Sequence, residues 1–277
     1  MTTQHIFDKA LALHHSDIRV GHFTGVTSPD YWNMVGHFGG TTAAVVLQSV
    51  LRHPDLLGAP IAITVNFAAA VEAGSFDLQA TAVRTNRSTQ HWTVQISQAG
   101  ADCEARLNTT ATVVTAARRE TWSASDLPMP AVPAPAEARR FDAGKNGVAW
   151  MAQYELRPVS GMLPATWDGS GDHSESTVWL RDAEPRALDF ASLASMSDMF
   201  YPRIWLRRAK HVPAGTVSIT TYFHAGPAEL ATVGTGYLLG RAVGQRFHNG
   251  FFDQAAQLWS EAGLLLATSN QIVYFKE

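Results

Sequence analysis

Four places in the chain combine residue types that could act on a carbonyl group or a proton. Gly39 and Gly40 stand just before an apolar stripe, Ala43, Val46, Leu47, Val50 and Leu51, with the spacing of a helix face. Glycines at a helix start let a ligand come close to unpaired N–H groups, where the dipole favours negative charge. A carbonyl turning into an oxyanion would suit that position. Asp198 lies at the edge of a second apolar stripe through Phe190, Leu193, Ala194 and Tyr201, one turn beyond Ala194. No Lys or Arg stands three or four residues before it, and the nearest after it is Arg203. A carboxylate there must be paired, hydrogen-bonded or functional, and partial desolvation would raise its pKa and make it a usable base. Thr216 alternates with Ser218 and Thr220 to give one polar strand face. Gln271 shares a strand face with Leu265, Ala267, Val273 and Phe275, where an amide needs hydrogen-bond partners. Each place also has a plainer reading: a glycine turn, a rim carboxylate bonded to a hydroxyl, a solvated threonine face and a satisfied core amide.

The elements that would position these residues occur twice. Residues 38–52 (FGGTTAAVVLQSVLR) predict one helix, and four alternating strands follow, ending near Val114. Residues 187–205 (ALDFASLASMSDMFYPRIW) predict a second helix, again followed by four strands, ending at Phe275. Ile61, Ile63, Val65 and Phe67 show period two, as do Leu78, Ala80 and Ala82, and Trp92, Val94 and Ile96. Strand-like segments are also expected around Ala149–Leu156 and Ser176–Leu180, with alternation through Thr232–Gly240 and Gln245–Gln254. Short turns such as Ala99–Asp102 and Glu261–Gly263 make the strands antiparallel. Between the halves, residues 127–140 hold four prolines in fourteen residues, an extended segment because proline donates no N–H and disfavours helix before it. The expected organisation is a unit over 1–117, a linker over 118–147 and a second unit over 148–277. Each unit is an α+β layer, one helix on an antiparallel sheet of about five strands.

Bulk composition narrows the function classes. At 277 residues the chain is long enough for two small domains, and 46% hydrophobic content allows a real core. A net charge of -3 gives no basic field for nucleic acid. Charged residues make up only 16%, which points to surface covered by another subunit, a homodimer or higher homo-oligomer. The lone Cys103 excludes an intrachain disulfide and a cysteine zinc site. The histidines show no metal-ligand spacing, so no metal and no cofactor is expected. No run approaches the ~18 apolar residues of a membrane span, and a cytoplasmic protein fits. Gly234, Gly236 and Gly240 have the wrong spacing for a dinucleotide fingerprint, and no G-x-S-x-G elbow is present.

Four segments, in order, resemble the type II, or medium-chain, acyl-CoA thioesterases of double-hotdog fold. Phe38-Gly39-Gly40 is similar to that family's F-G-G. Ala194-Ser195-Met196-Ser197-Asp198 resembles its small-residue run ending S-D. Thr216-Val217-Ser218 with Tyr222-Phe223-His224 resembles its threonine strand, and Ala267-Thr268-Ser269-Asn270-Gln271 its closing strand. The resemblance implies hydrolysis of an acyl-CoA thioester by a water held by Asp198, Thr216 and Gln271, with amides near Gly39 and Gly40 for the oxyanion. Thr112, taken as the counterpart of Gln271 in the first half, could not serve as that amide, which implies one site per chain. The chain departs from the family pattern at Thr41, where Gln is usual, at Ala68-Ala69-Ala70 and at Ser218-Ile219. Two other functions fit the same fold. One is a non-catalytic acyl-CoA or fatty-acyl binding protein. The other is a hydratase or dehydratase, whose Asp/His pair would have to come from Asp30 and His37.

Overall fold

The structure, a computed structural model, describes residues 4–100, 102–142 and 147–277. Its frame is one antiparallel sheet of 13 strands, running without a break through both halves of the chain. The first half supplies β1 (Leu13–His15), β2 (His22–Val26), β3 (Ala59–Phe67), β4 (Ser75–Thr85), β5 (Thr89–Ala99) and β6 (Ala105–Ala116). The second supplies β7 (Tyr154–Ser160), β8 (Ser176–Asp182), β9 (Ala214–Phe223), β10 (Leu238–Val243), β11 (Phe247–His248), β12 (Phe251–Ser260) and β13 (Leu265–Phe275). The spatial order is β1-β2-β4-β5-β6-β3-β9-β13-β12-β10-β8-β7, with β11 beside β12. The second half thus repeats the first in reverse about the β3–β9 pair. There Thr64 faces Thr220 and their hydroxyls lie 2.9 Å apart.

Alternation places the core. Phe76, Leu78 and Ala80 of β4, Trp92, Val94 and Ile96 of β5, and Ala111 and Val113 of β6 are all buried. They face α2 (Gly39–Leu51), whose Ala43, Val46, Leu47 and Val50 are buried in turn. This is the α+β helix-on-sheet layer, made twice. Arg118 fastens the junction: its guanidinium donates to the carbonyls of Phe223 and His224 at the end of β9 and of Pro60 in β3.

Several elements differ from the sequence reading. Each half has six strands on the main path, because β1, β2, β7 and β8 extend the edges. Residues 187–205 form two helices, α3 (Phe190–Met196) and α4 (Arg203–Arg208), rather than one. Pro202, the N-cap of α4, cannot donate to a continuing helix and holds the preceding residue away from helical geometry. Ala149–Gln153 is a 3-10 turn leading into β7, not the start of a strand. The stretch from Thr232 begins inside a helix, α5 (Pro227–Val233), which Pro227 and a bond from Gly226 N–H to Glu229 Oε2 (2.6 Å) open. A short helix α1 (Ile6–Ala10) precedes β1.

Residues 143–146 of the expected 118–147 linker lie outside the described residues. The described part holds no helix or strand, and it is not extended throughout, because Glu137 N donates to Ala134 O (2.9 Å) in a turn. It lies on the second half of the sheet, where Trp179 Nε1 donates to Pro133 O (2.9 Å). Met129, Val132 and Ala138 pack against Trp179, Tyr237 and Leu239. No helix among the described residues is long and apolar enough to cross a membrane.

The two central helices, α2 and α3, cross at Gly40. A Cβ on that residue would collide with the carbonyl of Ser195 and the ring of Phe38. Overpacking of this kind costs about 1–3 kcal/mol. Gly40→Ala is therefore expected to lose stability by about that amount, measured as a lower urea midpoint at an unchanged slope.

Candidate active site

The break after α3 decides where Asp198 goes. Asp198 lies two residues beyond the last residue of α3, where the chain leaves the helix instead of continuing to Tyr201. Arg203 secures this departure. It is fully buried with no acidic partner among the described residues, and its guanidinium donates to Tyr201 O (2.8 and 2.5 Å), Ser174 O (2.9 Å), Ser176 Oγ (2.7 Å) and Ala242 O (3.3 Å). Burial lowers its pKa to about 9.

Freed from the helix, the carboxylate crosses to the first turn of α2. Asp198 Oδ2 lies where a Cβ on Gly39 would come within 2.7 Å of it, and the N–H of Gly40 donates to the carboxylate. The glycines are needed here for approach: any side chain on Gly39 would push the acid away. The anion held at this helix N-terminus is thus the protein's own carboxylate. The Gly40 amide is engaged by it.

The other carboxylate oxygen belongs to a chain of hydrogen bonds. Gln271 Nε2 donates to Asp198 Oδ1 (2.9 Å), and Thr216 Oγ1 donates to Gln271 Oε1 (3.1 Å). Gln271 is 6% exposed and faces inward from β13 with Ser269 and Val273. Simple alternation put Thr216 on the opposite face, with Ser218 and Thr220. A β-bulge corrects that: Ile272 pairs with Ser218 and Val273 with Thr216, leaving Val217 as the extra residue. The extra residue reverses the alternation, so Thr216 turns inward while Thr220 stays outside against Thr64.

The three residues line a cavity of about 470 Å³. Most of its wall is apolar, including Phe38, Trp150, Trp167, Trp205 and Phe252. Phe38 and Trp150 stack at 4.3 Å, which ties the start of α2 to the 3-10 turn before β7. Sequence reading missed this wall, because its residues come from both halves and from irregular segments. A larger cleft of about 820 Å³, lined by Arg207, Arg208, Arg246 and Glu277 among others, shares no residue with it. Asp30 is exposed, and neither it nor His37 lines the cavity. His37 Nδ1 lies 3.3 Å from Thr42 Oγ1, and burial lowers its pKa to about 4. Among the described residues no group of acidic, His or Cys side chains could hold a metal ion.

The model of the acyl-CoA thioesterase N-terminal domain matches residues 28–120, and that of the C-terminal domain matches residues 128–275. The chain belongs to the acyl-CoA thioesterase family. Its fold is that family's hotdog, present twice. A hotdog-fold protein of unknown function from Alicyclobacillus acidocaldarius is 43% identical over 99% of both chains, with a TM-score of 0.92. An acyl-CoA thioesterase II from Mycobacterium marinum is 19% identical over 98% of both chains, with a TM-score of 0.76. The dehydratase domain of PpsC from Mycobacterium tuberculosis, at 13% identity over 97% of this chain and 99% of its own, has a TM-score of 0.57 and shares the fold alone. No curated protein matches the chain.

In this thioesterase-family chain Asp198 keeps an exposed edge on the cavity, yet protein atoms crowd its carboxylate. That desolvation raises its pKa to about 7, against the opposing bonds from Gln271 and Gly40. The folded protein therefore holds a proton that the unfolded chain releases near pH 4, and stability from this group is lost as pH rises from about 4 to about 7. Burial raises Asp182 to about 7 as well, so the wild-type curve alone mixes two groups. The difference between wild type and Asp198→Asn isolates one. The variant should gain on wild type between pH 4 and 7 and run parallel above, checked by urea unfolding at each pH.

Proposed function

We propose that the protein hydrolyses acyl-CoA thioesters to a free acid and CoA. The observation that carries this reading is the bonded series Thr216–Gln271–Asp198, opening into an apolar cavity at the first turn of α2. A water beside Thr216 and Asp198 would give its proton to the ionised carboxylate as its oxygen attacks the thioester carbon. Gln271 is locked between Thr216 and Asp198, so its amide cannot flip, and the base is held at one angle. The developing oxyanion would lie at the Gly39 N–H, at the positive end of α2. Collapse expels the CoA thiolate, and the proton held by Asp198 passes to its sulfur. A group with pKa about 7 can both take and return that proton near neutral pH. The departures from the family pattern at Thr41, Ala68–Ala70 and Ser218-Ile219 leave these three residues untouched. Hydration or dehydration would need an Asp/His pair in the cavity, and His37 is turned into the protein instead.

The same reading includes self-association. Thr112, Thr64, Thr220 and Asn270 form one uncharged row across the outer face of the sheet. Tyr222, Ile272 and Tyr274 are exposed on the same face. A face of this kind suits a second copy of the chain, and light scattering should give at least twice the monomer mass.

Asp198→Asn should fold and lose at least ~10²-fold in turnover of acyl-CoAs, followed by release of free thiol. Thr216→Val should lose less, since the carboxylate remains. In the wild type kcat/KM should rise with pH and level off above about 7, because only the ionised carboxylate accepts the proton. Undiminished hydrolysis by Asp198→Asn would overturn the mechanism. A wild-type protein that binds acyl-CoA without turnover would identify a binding protein instead.

A further inference from the structure

One buried polar group in the cavity is not used by the hydrolysis described above. Gln254 on β12 stands directly opposite Gln271 on β13. It is 3% exposed, and alternation with buried Phe252, Ala256 and Leu258 turns it inward. The little surface it keeps opens into the cavity that holds Asp198, Thr216 and Gln271. Its amide makes no hydrogen bond with any described residue.

The two other buried glutamines show how unusual this is. Gln90 accepts from Leu57 N and donates to Asp55 O and Thr85 Oγ1. Gln271 has both ends engaged. A buried amide with neither end engaged is unfavourable unless a guest completes it. Residues directly opposite on antiparallel strands have Cβ atoms about 4.5–5.5 Å apart. The guest atom must therefore lie within a few bonds of the carbonyl that Gln271 helps to address. An amide offers both a donor and an acceptor, so it suits a hydroxyl or a carbonyl oxygen. Beyond it the wall returns to Trp205, Phe252 and Val273, which suit a chain that is apolar from there on.

We propose that Gln254 is a specificity-determining residue that binds an oxygen on the second or third carbon of the acyl group. Resting on the thioesterase reading above, this makes the preferred substrates acyl-CoAs oxygenated close to the thioester, in place of unsubstituted chains. A site built to hydrogen-bond a substrate group discriminates strongly against the analogue that lacks it, because its own buried polar atoms are then left unpaired.

The test uses octanoyl-CoA, 3-hydroxyoctanoyl-CoA and 3-oxooctanoyl-CoA as a matched set. For the wild type, kcat/KM for the better oxygenated thioester should exceed that for octanoyl-CoA by at least about tenfold. In Gln254→Met, which keeps the shape and removes the amide, that ratio should fall to about one. Thermal melting of Gln254→Met should be no lower than that of the wild type, since the lost amide had no partner. The same ratio should appear as a ratio of Kd values in Asp198→Asn, measured by titration calorimetry. A wild-type protein that turns over none of the three thioesters, with the Kd ratio intact, would overturn the hydrolase reading and keep the role of Gln254. A ratio near one in the wild type would mean that Gln254 holds only water, and would overturn the proposal. A ratio unchanged in Gln254→Met would do the same. So would an equal fall for all three substrates, which would place Gln254 in the chemistry itself.

Discussion

Asp198 Oδ2 lies so close to Gly39 that a methyl group there would overlap it, and much of the architecture follows from keeping the two together. The helix carrying Asp198 has to stop early so that the acid can leave its own axis. The helix receiving it has to begin with two glycines, one for the acid and one for the Ser195 carbonyl at the crossing. The two helices come from different halves of the chain. A single continuous sheet, joined at β3 and β9, is what holds them at a constant separation.

Burial and hydrogen bonding pull on the carboxylate in opposite directions. Removing it from water favours the protonated form, while the Gly40 amide, the helix dipole and Gln271 favour the ion. Had burial acted alone, the acid would stay neutral at working pH and could not serve as a base. Had the donors acted alone, it would be too weak a base to take a proton from water. Gln271 sits at the centre of this balance, because its amide nitrogen donates to Asp198 while its oxygen accepts from Thr216, which fixes which end faces the carboxylate.

The residues that line up by type were legible in the chain, and the irregular backbone that aims them was not. The alternation of β4, β5 and β6, the stripe of α2 and the inward face of Gln271 follow from periods of two and 3.6, which the sequence displays directly. Thr216 shows the limit. Its alternation with Ser218 and Thr220 pointed outward, and one bulged residue, Val217, sent it the other way. Bulges have no strong residue signature, so pattern alone cannot place them. The break before α4 has a visible signal in Pro202, a proline inside an otherwise helical stripe. The aromatic wall could not be read, since Phe38 and Trp150 are distant in sequence and meet only when the halves close.

The pairing about Thr64 and Thr220 also explains why two similar halves yield one such constellation. It makes Ile63 and Ile219 equivalent, and therefore their partners, Val113 and Gln271. The counterpart of Gln271 is thus Val113, one residue beyond Thr112, which alternation places on the outer face. The bulge is repeated as well: Pro60 pairs with Thr115 and Ala62 with Val114, leaving Ile61 where the other half has Val217. The residue turned inward by this second bulge is Pro60, which has no hydroxyl to offer. At the other helix the first turn is already closed, because Asp189 caps α3 by accepting from Ser192 N (2.8 Å) and is itself paired with Arg186. The backbone device that aims Thr216 is present in both halves, so it belongs to the repeated fold. Only the side chains placed on it differ. Replacing Pro60 or Val113 singly in the first half would supply one member of a set that also lacks an open helix N-terminus, and the asymmetry is therefore stable against any single change.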